Sequence, residues 1–337
     1  MKNKYLIISI DTEVDWFDKA TNRLENLKCL DTLTSLFDRY GMKPTYLVTY
    51  EVTQNERAVK KLKGLQDSGR CEIGSHLHVW STPPFKNQNN FGVDEEMIEG
   101  IQSELDDNVF YAKIETLHET IGNSFGRYPT SHRAGRWGID ERTIEWLSRN
   151  NYLVDSSICP LTDWTKEKGI SKNIRVNSME APNHPYRPSM TDITKKGGEN
   201  NAFDLLEIPV TAIPANPIFG NYSTKTSKKV NSLFKGLGFR VHKNILFRPS
   251  HRMPSVTFRK ISEHLFGGNG TFFNMMFHSN ETHSGTSPYS KNMRRYSSLM
   301  KRLEASLKAA AAAGLKGVTL SEAATIFNEQ ENLRDNK

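Results

Sequence analysis

The sequence predicts an α/β protein whose parallel strands close into a barrel, and three observations support that prediction. Short apolar runs alternate with segments of helical periodicity, which is typical of parallel β/α units. About seven or eight of these runs have the length of a strand. Ionisable residues stand at the ends of at least four of them, and a barrel collects its functional side chains at the carboxyl ends of its strands.

The first half of the chain shows the alternation most clearly. Apolar runs at 5–10 and 44–50 predict buried strands, and an apolar stripe at 24–40 predicts a helix that Gly41 ends. Further strands are predicted at 71–80, 127–132 and 152–158, with helices at 55–68, 95–122 and 139–150.

Two excursions interrupt the second half: a polar, loop-rich one at about 160–203, and an irregular one at 212–268 whose middle is basic and predicted to be partly helical. Around them the sequence predicts strands at 205–210, 271–278 and 316–320, a helix at 289–313 and another from residue 321. Because the excursions are loop-like in composition, we expect one domain over 1–328 with loop insertions, followed by a polar, frayed tail at 329–337.

Composition narrows the class of protein. Of 337 residues, 36% are hydrophobic and 25% are charged, with a net charge of +7, which is ordinary for a globular protein with a mildly basic surface. The absence of a long basic run argues against nucleic acid as a partner, and no stretch reaches the ~20 apolar residues of a transmembrane segment. Three widely separated cysteines favour a reducing compartment. With no secretory signal pattern, we expect a cytoplasmic protein.

Two histidines and two acids are the first candidates for function. His76 and His78 lie two residues apart in a predicted strand, so their side chains leave the same face. Two imidazoles aimed at one point are half of a zinc or iron site. Asp11 and Glu13 close the first strand, where buried carboxylates are costly unless they pair or bind a cation. Unrelated packing histidines and turn acids are the ordinary alternative.

Taken in order, these motifs resemble those of the polysaccharide deacetylase family, also called carbohydrate esterase family four. The matching segments are D-T-E from Asp11, G-S-H-L-H from Gly74, R-A-G-R-W-G from Arg133, the aspartate Asp155, and M-M-F-H ending at His278. The resemblance spans most of the chain. It implies a distorted, TIM-like (β/α) barrel of about seven strands and a metal-dependent hydrolase.

The chain departs from the family pattern at three motifs. The family has adjacent aspartates where this chain has acids two residues apart, the second being Glu13. Its second histidine lies four residues after the first, where this chain has Trp80, so His78 is the expected partner of His76. The third motif lacks its proline. These departures indicate a divergent branch.

The resemblance implies a cofactor and a reaction. Glu13, His76 and His78 would hold a divalent metal, with Zn²⁺ as the first expectation and Co²⁺, Ni²⁺ or Fe²⁺ as alternatives. The expected reaction removes an N-acetyl group from an amino sugar in a polysaccharide or its linked precursor.

Four further residues receive catalytic roles from the resemblance. Asp11 would be the general base, and Arg133 would keep it ionised. His278 would be the general acid, with Asp155 as the carboxylate that raises its pKa and fixes its tautomer.

The expected partner is an N-acetylated sugar, and an anionic or lipid-linked substrate is left open. Trp80, Trp137 and Tyr186 are candidates for stacking on the sugar, and Arg187 is a candidate for an anionic group. The ordinary alternatives are core aromatic residues and a surface arginine.

Three other functions stay open from sequence alone. The same barrel could hydrolyse a non-sugar amide or a formamide. Two histidines and a carboxylate also suit a non-haem iron oxygenase, although that function has no evident use for Asp11 or His278. The shifted histidine spacing keeps a metal-free glycan-binding barrel open as the third.

Overall fold

The computed structural model describes residues 3–167, 176–214, 244–249 and 254–335. Its strands, in chain order, are β1 (Tyr5–Thr12), β2 (Pro44–Val48), β3 (Glu72–Leu77), β4 (Ser131–Ala134), β5 (Val154–Asp155), β6 (Leu206–Glu207), β7 (Ala212–Pro214), β8 (Asn244–Leu246), β9 (Phe272–His278) and β10 (Lys316–Val318). All except β7 and β8, which form an antiparallel pair, belong to one parallel sheet. The sheet curls into a distorted (β/α) barrel, which confirms the predicted fold class.

The strand β1 pairs with three others, β2, β9 and β10. β1 to β6 are neighbours in chain order, β9 pairs along most of the length of β1, and β10 pairs with its first residues. Beyond β6 the barrel closes irregularly: the N–H of Thr211 donates to the Asn274 oxygen, and the N–H of Met276 donates to the Phe247 oxygen, each at 3.1 Å.

Helices cover the outer face of the sheet. They are α1 (Leu30–Arg39), α2 (Tyr50–Thr53), α3 (Glu56–Asp67), α4 (Asp107–Phe125), α5 (Glu141–Arg149), α6 (Ser255–Gly267), α7 (Met293–Ala312) and α8 (Leu320–Asp335). Side-chain caps begin several of them: Asn55 accepts from the N–H of Ala58, and Asp140 from that of Thr143. None of the described helices is long and apolar enough to cross a membrane.

Several elements differ from the sequence-based expectations. The helix expected from residue 95 begins at Asp107, because short 3₁₀ turns at Glu95–Met97 and Gln102–Glu104 flank Gly100 and interrupt it. The strand expected at 152–158 is only Val154–Asp155. The last helix, α8, continues to Asp335, so residues 329–335 of the expected tail are helical.

The two excursions are described only in part. Residues 176–203 contain isolated bridges such as Pro188 with Lys196, in keeping with a loop-rich segment. The second excursion contributes β7, β8 and α6, and its expected basic, partly helical middle at 215–243 lies outside the described residues. All three cysteines are buried free thiols.

Alternate residues of β1 line the barrel interior in layers. Tyr5 and Ile7 belong to an apolar floor that also contains Leu47, Val154, Leu206 and Phe272. Ser9 comes next and donates to Asn274 Oδ1 at 2.8 Å. Asp11 and Glu13 follow on the same face. The interior therefore changes from apolar to ionisable towards the carboxyl ends of the strands.

Candidate active site

A glutamate and two histidines meet at the carboxyl ends of β1 and β3. One ligand atom from each of Glu13, His76 and His78 lies within 4.8 Å of the others. His78 Nε2 is 3.1 Å from Glu13 Oε2, and the centroids of the two imidazole rings are 4.6 Å apart. All three side chains are buried. A carboxylate and two imidazoles in this arrangement form a donor set that suits a divalent metal.

The protonation states of these residues also suit metal ligation. Burial lowers the pKa of His76 to about 4, and burial lowers the pKa of His78 as well, so both imidazoles are neutral at neutral pH. Burial opposes ionisation of Glu13, but the hydrogen bond from His78 and the neighbouring histidines hold its pKa below the usual range. His76 Nδ1 donates to the backbone oxygen of Arg133 at 2.8 Å, which leaves its Nε2 to face the site.

The spacing of two residues brings His78 to this point. His76 lies in β3 and His78 directly follows it, so both leave one face of the extended chain. The turn after β4 packs against them: a Cβ on Gly135 would lie 2.3 Å from the Leu77 oxygen and 2.9 Å from His78 Cδ2. His78 Nδ1 is buried without a hydrogen-bond partner among the described residues. The site therefore has polar capacity that a ligand or water would satisfy.

The buried carboxylate of Asp11 has one oxygen that is hydrogen-bonded to Arg133 and one that faces the two histidines His76 and His278. Oδ1 accepts a 2.5 Å hydrogen bond from Arg133 Nη1, while Oδ2 lies 3.9 Å from His76 Nε2 and 3.6 Å from His278 Nε2. Arg133 is fully buried and also donates to Ser9 Oγ and Ser156 Oγ. Burial alone would raise the pKa of Asp11, but the Arg133 charge and the nearby histidines outweigh it and lower that pKa.

His278 ends β9 opposite Asp11, with which it pairs in register. Its Nδ1 lies 2.8 Å from Glu281 Oε1, which also accepts the backbone N–H of His278 at 3.0 Å. Arg248 forms an ion pair with the same carboxylate. Burial and Arg248 act to lower the pKa of His278, but the Glu281 hydrogen bond and the charges of Glu13 and Asp11 outweigh them, so the pKa is raised.

The predicted pairing of His278 with Asp155 is wrong. Asp155 pairs in register with His132, so its side chain leaves the face of the sheet opposite to Arg133. Its carboxyl accepts from the Ser157 hydroxyl at 2.8 Å. The carboxylate on His278 belongs to Glu281, which sequence reasoning missed. The only signal was an acid three residues after a strand-end histidine, and an ordinary turn acid would look the same.

The four residues predicted to bind sugar are not gathered in one place. Trp80 and Tyr186 are each 1% exposed, so neither presents a ring to solvent, which corrects their expected stacking role. Arg187 pairs with Asp204 at 2.9 Å and also lies near Glu331 in α8. Trp137 is half-buried beside the site, where its ring lies 5.4 Å from the Arg133 guanidinium.

Comparison with known proteins supports the fold. No family model matches the chain, and no curated protein matches it. Among solved structures, a Mycobacterium smegmatis protein proposed to be a polysaccharide deacetylase is 12% identical, with a TM-score of 0.55 over 98% of this chain and 92% of its own. A Parabacteroides distasonis protein proposed to be a glycoside hydrolase or deacetylase is 11% identical, with a TM-score of 0.62 over 98% of this chain and 72% of its own.

A third similar structure belongs to an enzyme with a different activity. The 4-alpha-glucanotransferase of Thermococcus litoralis is 12% identical, with a TM-score of 0.52 over 96% of this chain and 40% of its own. At these identities the comparisons establish a shared fold, and function has to be argued from the site.

Proposed function

We propose that this protein is a metal-dependent hydrolase that removes an N-acetyl group from an amino sugar in a polysaccharide or its linked precursor. The observation that supports this most is the position of Asp11 Oδ2, 3.6 Å from His278 Nε2 and 3.9 Å from His76 Nε2. These distances place a candidate base and a candidate acid side by side at the edge of a candidate metal centre. Amide hydrolysis needs both, because water is a weak nucleophile and an amine leaves poorly unless it is protonated.

Glu13, His76 and His78 would hold the divalent metal, with Zn²⁺ as the first choice and Co²⁺, Ni²⁺ or Fe²⁺ as alternatives. When bound, such a metal lowers the pKa of water and polarises the acyl carbonyl. The neutral imidazoles and the ionised Glu13 are already in the protonation states that ligation requires.

Asp11 would act as the general base. Its Oδ2 accepts a proton from the attacking water, whose oxygen bonds to the acyl carbon. Arg133 keeps Asp11 ionised and holds Oδ1, so the carboxylate presents a fixed oxygen and loses little freedom on orientation.

His278 would act as the general acid. As the bond between the acyl carbon and nitrogen breaks, Nε2 gives its proton to the departing nitrogen, leaving a free amino sugar and acetate. Glu281 binds Nδ1, which turns Nε2 towards Asp11 and favours the protonated ring.

A sugar substrate is suggested by two proteins of the same fold, one proposed to be a polysaccharide deacetylase and the other a glycoside hydrolase or deacetylase, and a substrate panel tests it. N-acetylglucosamine oligomers are compared with N-formylated sugars and with acetyl-lysine peptides. We expect acetate release from the acetylated sugars. Turnover of formamides or peptides alone would favour the hydrolase of another amide, and glycan binding without any turnover would favour the binding barrel.

Replacing Asp11 by Asn tests the chemistry within that panel. We expect Asp11→Asn to lower kcat roughly 10²- to 10⁴-fold, because the amide cannot accept the water proton. Metal content should stay at the wild-type level, since Asp11 is not one of the three ligands. Asp31→Asn, at an exposed position in α1, is the matched control. Wild-type turnover by Asp11→Asn would contradict the assignment of the base.

A further inference from the structure

A lysine ammonium lies between two indole rings beside the candidate metal centre. Lys19, in the turn after β1, places Nζ 4.3 Å from the ring centroid of Trp16 and 5.4 Å from that of Trp80. Trp80 stacks on His78 at 4.1 Å, and Trp16 meets His278 edge-on at 6.4 Å. The ammonium therefore lies between the metal-ligand side and the general-acid side of the site.

The three arginines of the site each have a carboxylate partner. Arg133 pairs with Asp11, Arg248 with Glu281, and Arg136 with Glu99. Lys19 differs from them: across the described part of the chain, no carboxylate lies within ion-pair distance of its Nζ. Burial lowers the pKa of Lys19, the charge of Glu13 opposes that effect, and the charge of Arg136 adds to it.

The Lys19 ammonium would be stabilised by an anionic partner. Its Nζ lies over two aromatic rings, and such a contact attracts the cation but supplies no counter-charge. Removing a cation from water without a counter-charge is costly. Glu13 and Glu99 are the acids whose charges act on it, and Glu13 belongs to the candidate metal centre. Once Glu13 ligates a metal, the Lys19 charge is free for an incoming anion.

We propose that Lys19 binds an anionic group of the amino-sugar substrate, a carboxylate or a phosphate, and thereby selects charged sugars over neutral ones. This inference rests on the proposed function, because it names the substrate class of the same site. Lys19 takes the role that the sequence suggested for Arg187, whose guanidinium is paired with Asp204 and lies near Glu331.

Calorimetric titration of the full chain tests the proposal, with and without zinc. The probes are N-acetylglucosamine, N-acetylglucosamine 1-phosphate and N-acetylmuramic acid, so that the last two separate phosphate from carboxylate. We expect at least one charged probe to bind about tenfold more tightly than the neutral sugar. Lys19→Met should abolish that preference, since methionine keeps the contact with Trp16 and Trp80 without the charge.

Two further variants keep the test decisive. Lys316→Met removes an exposed lysine of β10 that pairs in register with Tyr5, at the far end of β1 from the site, and it should keep the preference. Lys19→Arg retains the charge and should keep it too, even if Lys19→Met folds poorly. Equal affinity of the wild type for charged and neutral probes, or a preference that survives in folded Lys19→Met, would overturn the proposal.

Turnover distinguishes this inference from the proposed function. Equal kcat/KM for charged and neutral acetylated sugars would contradict the role of Lys19 and leave the deacetylase intact. A charge preference in binding, with no acetate released from any probe by the zinc-loaded protein, would contradict the deacetylase and leave the anion site standing.

Discussion

His278 can serve as an acid only if its ring holds a proton, and among the groups that favour that proton Glu281 is the one hydrogen-bonded to the ring. Burial and Arg248 both act to lower the pKa of His278, and the carboxylate of Glu281 is the closest group that opposes them. The pKa of Glu281 itself is lowered to about 2, because Arg248 and His278 outweigh the effect of burial. Glu281 is therefore ionised at neutral pH, and its charge favours the protonated form of His278.

Glu281→Gln tests this dependence. Glutamine keeps an oxygen for the two N–H groups of His278 but removes the charge, so burial and Arg248 should lower the pKa of His278. The ring then loses its proton at lower pH, and the alkaline limb of the kcat/KM profile should move down by roughly one pH unit. Glu304→Gln, on α7 and paired with Arg39 and Tyr40, should leave the limb in place. An unmoved limb in Glu281→Gln would contradict the role of Glu281.

The turn after β4 packs against the end of β3, where His76 and His78 lie. Arg136 and Trp137 adopt left-handed φ angles of 53° and 59°, which are strained for residues with side chains. Gly135 precedes them and allows the turn to lie directly against Leu77 and His78. Strained backbone of this kind is tolerated where neighbouring structure holds it.

Gly135→Ala should disturb the candidate metal centre through this contact. The added methyl would meet the Leu77 oxygen and the His78 ring, so we expect zinc affinity, measured by chelator competition, to fall roughly 10- to 100-fold. Gly64→Ala, in α3 where a Cβ meets nothing within 4 Å, should leave zinc affinity unchanged and favour the helix by about 1 kcal/mol. Equal zinc affinity in both variants would show that the turn does not position His78.

Site residues that lie close together in one strand could be predicted from sequence. Those whose position depends on the register of strand pairing or on the path of a turn could not. Asp11 and Glu13, like His76 and His78, are two residues apart in extended backbone, so they share a face wherever the strand lies. The face that Asp155 occupies depends on how β5 pairs with β4, and a shift of one residue reverses it. Glu281 reaches His278 only through the turn that follows β9.

The molecule as a whole holds a second pair of buried acids, outside the candidate active site. Asp155 and Glu207 pair in register across β5 and β6, and both are buried. Burial raises the pKa of each, and the negative charge of Asp155 raises that of Glu207 further. The folded chain therefore keeps a proton on this pair at pH values where the unfolded chain, with a carboxyl pKa of ~4.3, has released it. The free energy of unfolding consequently falls as pH rises from that value towards the raised pKa of the folded pair.

Glu207→Gln should reduce the loss of folding stability that accompanies rising pH. The amide can donate to Asp155 and accept from the N–H of Ile158, as Glu207 Oε1 does at 3.1 Å, without a proton to lose. We expect the free energy of unfolding in urea to fall less between about pH 5 and about pH 8 than in the wild type. In the control Glu263→Gln, which changes an exposed residue on α6, the free energy of unfolding should fall with pH as it does in the wild type. A wild-type slope in Glu207→Gln would contradict this account.

The barrel could be predicted at the level of the whole molecule because its strands and helices alternate with clear periodicity. The closure of the barrel could not be predicted, because Thr211 and Phe247 each join β9 through a backbone hydrogen bond, and such bonds leave no periodic pattern in the sequence. Lys19 was equally hidden, because its position between Trp16 and Trp80 joins residues from two separate strand ends.

We propose that Glu13, His76 and His78 form a metal site beside Asp11 and His278, and the metal content of the purified protein tests this most directly. Wild type, His78→Ala and the exposed control His264→Ala are incubated with zinc, freed of excess metal and analysed for bound zinc. We expect near-stoichiometric zinc in the wild type and in His264→Ala, and its loss from His78→Ala. Equal zinc in all three proteins, or none in the wild type, would contradict it.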